Sequence, residues 1–296
     1  MARAYRASNR VGDGALSILI FGCFAGALGV GALEGFVTPW FNLFIVFPLL
    51  IGAGAAIPAV KVIASRQVRA PLLAAAIACA AGIAGQVTFH AVSYARFRSE
   101  VAAQLTSEED TPTNVDDALM QRTGSSGILG YAKLMAEQGT VIKHHGRDSG
   151  MNFTGTGWWI LALVEALAAG AFGAVIAWGR AREPYCENCK RWFAATDIEG
   201  IGSGAKATVS ELKGVLDSEA WGRVGEALGA SDGKRTSTII VRRCGQCQDH
   251  EPLLSVTVTR GANTKKPKVS TVYTTVMLYG DYDTLHAALS KSAASS

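Results

Sequence analysis

Residues 157–178 form an apolar segment that reads GWWILALVEALAAGAFGAVIAW, in which Glu165 is the only charged side chain. Trp159 and Trp178 bracket the segment, and a helix with a rise of about 1.5 Å per residue would place their rings about 28 Å apart. That span is close to the hydrocarbon core of a bilayer, roughly 30 Å thick, and indole rings prefer its headgroup level. The segment is therefore predicted to be a transmembrane helix.

Three further apolar runs precede this segment, at residues 15–33, 40–60 and 71–94. The chain is 49% hydrophobic and only 18% charged, which excludes a disordered chain and argues against an ordinary soluble globule. Each run is long enough to cross a bilayer. The first run follows three arginines and could instead be a cleaved signal peptide, although it is longer than the roughly 7 to 15 residues usual for such a segment.

The predicted fold is therefore of mixed class: a four-helix transmembrane bundle, a small helical cap outside the membrane and a C-terminal α+β domain. Apolar and polar segments alternate in a way that sets the expected boundaries. They are residues 1–94 for the tail and the first three helices, 95–156 for the cap, 157–178 for the fourth helix and 179–296 for the C-terminal domain.

Basic residues in short loops predict the orientation, because such loops stay in the cytoplasm. The connection after the first run carries only Glu34, and residues 95–156 carry six basic and eight acidic side chains. We therefore expect a multi-pass protein of a bacterial inner membrane, with both termini in the cytoplasm. The basic residues that support this orientation are Arg3, Arg6, Arg10, Lys61, Arg66, Arg69, Arg180 and Arg182.

Small residues at four-residue spacing, such as Gly22 and Gly26, or Ala74, Ala78 and Gly82, recur in the predicted helices. They let helix backbones approach closely, which is how packing is gained in lipid. The simpler interpretation is that Ala and Gly are frequent throughout the chain. Pro48 is predicted to lie in the middle of the second helix and to kink it.

Three polar side chains fall inside the predicted bundle: Glu165 in the fourth helix, and Gln86 and His90 in the third. A carboxyl group at this depth is costly unless it is neutral, paired or facing a wet cavity. Two interpretations follow. In the favoured one, a hydrogen bond from Glu165 to Gln86 or His90 fixes the helix register; in the other, Glu165 and His90 form a proton or ion relay.

Residues 95–156 are too many for a bare connection. Thr113 or Asn114 is suited to cap a helix over residues 115–122, and a second helix is predicted over 128–138, ended by Gly139. The apolar side chains of the second helix follow helical spacing and predict a docking face. They are Ile128, Leu129, Tyr131, Leu134 and Met135.

Four of the six cysteines form two CxxC pairs, Cys186 with Cys189 and Cys244 with Cys247, whereas Cys23 and Cys79 stand alone in apolar runs. Two CxxC turns can complete a tetrahedral sulfur site for zinc. On the predicted cytoplasmic side thiols stay reduced, so the pairs indicate a structural metal rather than disulfides. A redox role is the alternative, but a thioredoxin-like site needs one CxxC in a βαβ setting.

On these pairs the C-terminal segment resembles the zinc-ribbon fold group, in which two cysteine knuckles on β-hairpins clamp one zinc ion. The resemblance covers residues 185–193 and 242–248 and implies Zn as the cofactor, with the four cysteines as ligands. The chain departs from the ribbon pattern in two ways. The knuckles are separated by 54 residues, and no glycine follows the second cysteine of either one. His250 is an alternative ligand.

The rest of the C-terminal segment predicts an α+β unit. Strands are expected at 236–243, 253–260 and 269–280, with one helical stretch between the knuckles over 207–228 and another over 281–291. The segment from residue 179 carries sixteen basic and thirteen acidic side chains. This mixed charge suits a domain near anionic lipid and argues against a nucleic-acid binder.

The function predicted is that of an integral membrane protein that presents a zinc-stabilised cytoplasmic domain for partner binding, scaffolding or signal relay. A protein partner would contact the exposed strands or the basic stretch 260–268, and the chain could form a homo-oligomer. No nucleotide-binding or hydrolase motif supports an enzyme. The alternative is a small transporter or channel subunit that uses Glu165.

Overall fold

The computed structural model divides the chain into two compact units, which are Ser8–Arg182 and the residues from Glu183 onward. The structure describes residues 6–38, 46–105, 114–142, 151–203, 213–224, 235–244, 246, 253–260, 268–276 and 279–294.

Among its described residues, the first unit contains four helices long and apolar enough to cross a membrane, which confirms the predicted membrane spans. Large apolar side chains point outward from these helices, such as Phe21 at 78% and Leu72 at 79% exposure. Such a surface is stable in contact with lipid tails, which are equally apolar. The third helix continues beyond the predicted end of its apolar run. The bounds are α1 Ala15–Val37, α2 Val46–Arg66, α3 Pro71–Leu105 and α6 Thr156–Ala181.

Helices α2 and α3 are the central pair of the bundle, because each contacts the other and both α1 and α6. The helices meet at small residues. A Cβ atom at Gly26 would overlap the carbonyl oxygen of Gly54 in α2, and one at Gly82 would overlap that of Ala169 in α6. The glycines therefore allow backbone contact that larger side chains would prevent.

Two expectations for the bundle need correction. Pro48 lies in the first described turn of α2, where a proline costs little, and the proline inside this helix is Pro58. Glu34 does not lie in a connection. Helix α1 extends to Val37, and Glu34 is buried within it, at 5% exposure.

Both helices predicted between α3 and α6 are present. Helix α4 spans Val115–Thr123, and the side chain of Asn114 caps it by accepting a hydrogen bond from the backbone N–H of Asp116. Helix α5 spans Gly127–Gln138 and ends at Gly139, which has a positive φ.

Only part of the predicted apolar face of α5 is covered. Leu134 packs with Val115 and Leu119 of α4 in a buried cluster, and Tyr131 and Met135 lie against it. Ile128 and Leu129 are exposed instead, because they lie on the opposite side of the first turn of α5. An unpredicted two-stranded antiparallel sheet follows, formed by β1 Thr140–Ile142 and β2 Met151–Phe153.

The second unit is built on an antiparallel sheet with the strand order β5-β6-β7-β8. Its core contains Leu216, Val241, Leu254 and Leu285, all fully or almost fully buried. Strand β5 was not among the predicted strands. The helical stretch predicted over 207–228 is represented in the described residues by a helical turn at 213–217 and by the 3-10 helix Trp221–Arg223. The other bounds are β3 Tyr185–Cys186, β4 Arg191–Trp192, β5 Ala194–Ser203, β6 Arg235–Arg243, β7 Leu253–Arg260, β8 Lys268–Val276 and α7 Tyr279–Ala294.

Candidate metal centre

The first cysteine pair lies on a tight hairpin. Strands β3 and β4 pair in antiparallel register, with Cys186 opposite Arg191 and Tyr185 opposite Trp192. The two aromatic rings make an edge-on contact at 5.1 Å between centroids, which holds the hairpin closed. Within the turn, the backbone N–H of Cys189 donates to Sγ of Cys186 at 3.4 Å. The turn therefore directs backbone donors toward sulfur, as expected where a thiolate carries negative charge.

Lys190 takes the position at which the zinc-ribbon pattern often has glycine. Its φ is 51°, in the left-handed region that glycine adopts without steric cost. The chain therefore keeps the backbone conformation of the turn although it lacks the residue that best suits it. Sequence inspection alone suggested only that the glycine was missing.

Strand pairing explains how the second knuckle reaches the first across 54 intervening residues. Strand β5 begins at Ala194, directly after the first hairpin, and this residue pairs with Arg243 at the end of β6. Cys244 follows Arg243 at once. The long insertion therefore leaves along β5 and returns along β6, so that both of its ends lie at the first knuckle.

Three cysteine sulfurs meet at this point. The Sγ atoms of Cys186, Cys189 and Cys244 all lie within 4.8 Å of one another, close enough to hold a metal ion. Cys186 and Cys244 are buried and Cys189 is half-buried. Sulfur atoms around a tetrahedral zinc are about 3.8 Å apart, as Zn–S bonds of about 2.3 Å require. The three sulfurs are therefore close enough to hold a metal ion.

No protein-family model matches the chain, and neither curated proteins nor solved structures gave a match. The interpretation of the sulfur cluster thus depends on its own geometry and chemistry. The predicted fourth ligand, Cys247, and the alternative ligand His250 lie outside the described residues. The same holds for residues 261–267 of the basic stretch.

The polar residues predicted inside the bundle lie on facing helices. The amide Nε2 of Gln86 in α3 donates to a carboxylate oxygen of Glu165 in α6 at 3.3 Å. His90, one turn further along α3, places its ring 6.0 Å from that of Trp158. The structure thus pairs Gln86 with Glu165, whereas His90 packs against an indole.

Sequence reasoning missed the most deeply buried carboxyl group of the described bundle. Glu34 was assigned to a connection because it follows an apolar run and because a charged residue usually marks the end of such a run. A helical signal was nevertheless present, since Gly31 and Gly35 flank Glu34 at the spacing of a small-residue helix contact.

Proposed function

We propose that the protein is a membrane-anchored adaptor whose C-terminal unit is stabilised by a structural zinc ion and binds a protein partner. The convergence of Cys186, Cys189 and Cys244 carries this proposal. Cys247 is the fourth ligand. The bound zinc would supply a crosslink between β3, its hairpin turn and the end of β6, and no chemical step.

A structural role suits the site because two of the three cysteines are buried, the third is half-buried, and the sulfurs come from three points of the backbone. A catalytic zinc normally keeps an open position for water, whereas four cysteines close the coordination sphere. The unit also needs such a crosslink. It is small, and its core must hold an insertion of 54 residues between the two cysteine pairs.

The adaptor role follows from the arrangement of the two kinds of surface. The bundle presents apolar side chains such as Phe21 and Leu72, which suit lipid. The C-terminal segment carries a mixed set of charges, which suits water and a protein partner. We place this unit in the cytoplasm of a bacterial cell, on the inner membrane, because the basic residues flank the bundle on that side.

Metal analysis of the purified full chain tests the zinc site. We expect one zinc ion per chain, and we expect Cys186→Ser, Cys189→Ser, Cys244→Ser and Cys247→Ser each to lose most of it. The matched control is Cys79→Ser, since Cys79 lies in α3 beside Gly170 and outside the sulfur cluster. A wild-type protein without stoichiometric metal would overturn the proposal, as would variants that keep it.

The adaptor role is tested by capture of partners on the full chain before and after removal of zinc by a chelator. We expect a partner that is retained by the loaded protein and lost from the metal-free protein and from Cys244→Ser. Equal retention by all three would show that the metal-stabilised unit does not bind the partner.

A second function is supported by the hydrogen bond between Gln86 and Glu165. A carboxyl group held by an amide inside the bundle is a feature of solute pathways as well as of helix packing. If the protein is a transporter or channel subunit, proteoliposomes of the wild type should show solute flux that Glu165→Gln abolishes. If the bond is structural, Glu165→Gln should be silent and Glu165→Leu should destabilise the bundle.

A further inference from the structure

Glu34 lies on the face of α1 that packs against α3. The glycines on either side of it, Gly31 and Gly35, abut the backbone carbonyl groups of Gly85 and Phe89. Glu34 is therefore level with this stretch of α3. Its side chain is 95% buried, and among the described residues neither carboxylate oxygen has a hydrogen-bond partner.

Two further buried polar atoms lie on the same stretch of α3. Gln86 is only 3% exposed, and its Oε1 atom has no hydrogen-bond partner among the described residues. The Nε2 atom of His90 is in the same situation. Gln86 is held in place by its bond to Glu165, so its free acceptor has a fixed position. Buried polar atoms are normally hydrogen-bonded, and the two carboxylate oxygens of Glu34 are exceptions inside a contact between two helices.

The charged and titratable groups of the packed helices do not neutralise Glu34. Helix α2 offers none from Val46 to Val60. From His90 onward the groups on α3 are His90, Tyr94, Arg96, Arg98 and Glu100, and Arg98 lies 4.0 Å from Asp116. Tyr94 donates to Asp116, and Arg96 donates to the carbonyl of Phe36 and to Glu100. Helix α6, which packs against α3, carries Glu165.

The chemistry of this environment decides the charge of Glu34. An ionised carboxylate without water or a cation would carry a large desolvation cost. A protonated carboxyl group avoids that cost and leaves only the smaller cost of a buried neutral polar group.

We propose that Glu34 is a proton-binding site within the bundle, buried between α1 and α3 and level with Gln86. Uptake transfers a proton from hydronium to a carboxylate oxygen of Glu34, which forms the new O–H bond and leaves one water molecule. Release is the reverse transfer to water. Since ionisation places a charge in the α1–α3 contact, release also weakens that contact. This proposal does not depend on the zinc site.

Infrared spectroscopy of the full chain in lipid bilayers tests the proposal. The carbonyl stretch of a protonated carboxyl group lies above the amide I band and moves to lower frequency in D₂O. We expect this band in the wild type at neutral pH, and we expect Glu34→Gln to lose the Glu34 component. The control is Glu100→Gln, because Glu100 is exposed and ion-paired with Arg96.

Identical spectra of the wild type and Glu34→Gln would overturn the proposal. If Glu34→Gln does not fold, Glu34→Asp takes its place: a displaced band supports the site, and an unchanged band excludes it. In the wild type, titration to alkaline pH should remove the part of the carbonyl band that Glu34→Gln lacks. A component that persists until the protein unfolds would contradict proton release.

Discussion

At the scale of single residues, Lys190 shows how the chain keeps a knuckle turn without glycine. Its φ of 51° lies in the left-handed region, where a residue that carries a Cβ atom is strained. We expect Lys190→Gly to raise the stability of the zinc-loaded C-terminal unit by about 0.5 to 1 kcal/mol, because glycine removes this strain and adds a smaller entropic cost.

The stability change is measured on the full chain as the temperature at which the knuckle cysteines react with a thiol reagent. Lys190→Ala is the matched control, since alanine keeps the Cβ atom and loses the side chain. A gain for Lys190→Ala equal to that for Lys190→Gly would attribute the effect to the lysine side chain rather than to the backbone.

Asp116 is a second residue whose role appears only in three dimensions. It accepts hydrogen bonds from the hydroxyl of Tyr94 in α3 and from the backbone N–H of Gly127 in α5, and Arg98 lies 4.0 Å away. We expect Asp116→Ala to destabilise the α4–α5 pair by about 1–3 kcal/mol, because bonds to a charged group are lost and two half-buried donors lose their acceptor.

Limited proteolysis between α3 and α5 reports this destabilisation as faster cleavage. Asp117→Ala is the control, since Asp117 is the exposed neighbour in the same helical turn. Equal cleavage of the two variants would mean that Asp116 contributes only as a negative charge in the first turn of α4.

At the scale of elements, the membrane helices depend on glycine contacts. Gly26 and Gly29 lie in the same helix, but a Cβ atom at Gly26 would overlap the backbone of α2, whereas one at Gly29 would meet nothing within 4 Å. We therefore expect Gly26→Leu to destabilise the bundle by about 1–3 kcal/mol or to prevent its folding, because an inserted side chain must separate α1 from α2.

Gly29→Leu should leave the bundle intact, because its side chain would extend into lipid. Thermal unfolding and size-exclusion chromatography in detergent distinguish the two variants. If Gly29→Leu is as harmful as Gly26→Leu, helix propensity or crowding of α1, and not the α1–α2 contact, limits stability.

The sequence predicted elements well where one physical signal dominates. Runs of apolar residues predicted all four membrane helices, and β6 and β7 have the expected bounds. The end of α3 was missed because Arg96, Arg98 and Glu100 mark where the chain leaves lipid, not where the helix ends. Strand β5 was missed because AATDIEGIGS lacks polar–apolar alternation and contains two glycines.

The metal centre was only partly predictable for a related reason. CxxC spacing predicted the candidate ligands, but nothing local shows that Cys244 meets the distant pair Cys186 and Cys189. That convergence depends on the pairing of Ala194 with Arg243, a long-range contact across the insertion. The burial of Glu34 could not be predicted either. It depends on how the neighbouring helices pack around the residue, and the residue type gives no sign of that packing.

At the scale of the whole molecule, the orientation in the membrane connects the proposed zinc site to its reducing compartment. Thiols remain available for zinc in the cytoplasm, whereas outside it the same cysteines would tend to form disulfides. In the proposed topology α6 would cross the bilayer once, so residues before it and residues after it would be exposed to different compartments.

Two substitutions at exposed positions test this arrangement, Glu137→Cys in α5 and Asp283→Cys in α7. In intact cells, a membrane-impermeant maleimide should label the Glu137→Cys variant and leave the Asp283→Cys variant unlabelled; after permeabilisation both should react. The wild type reports any labelling of native cysteines. The reverse pattern would place the sulfur cluster outside the cytoplasm, where zinc would have to compete with oxidation of its own ligands.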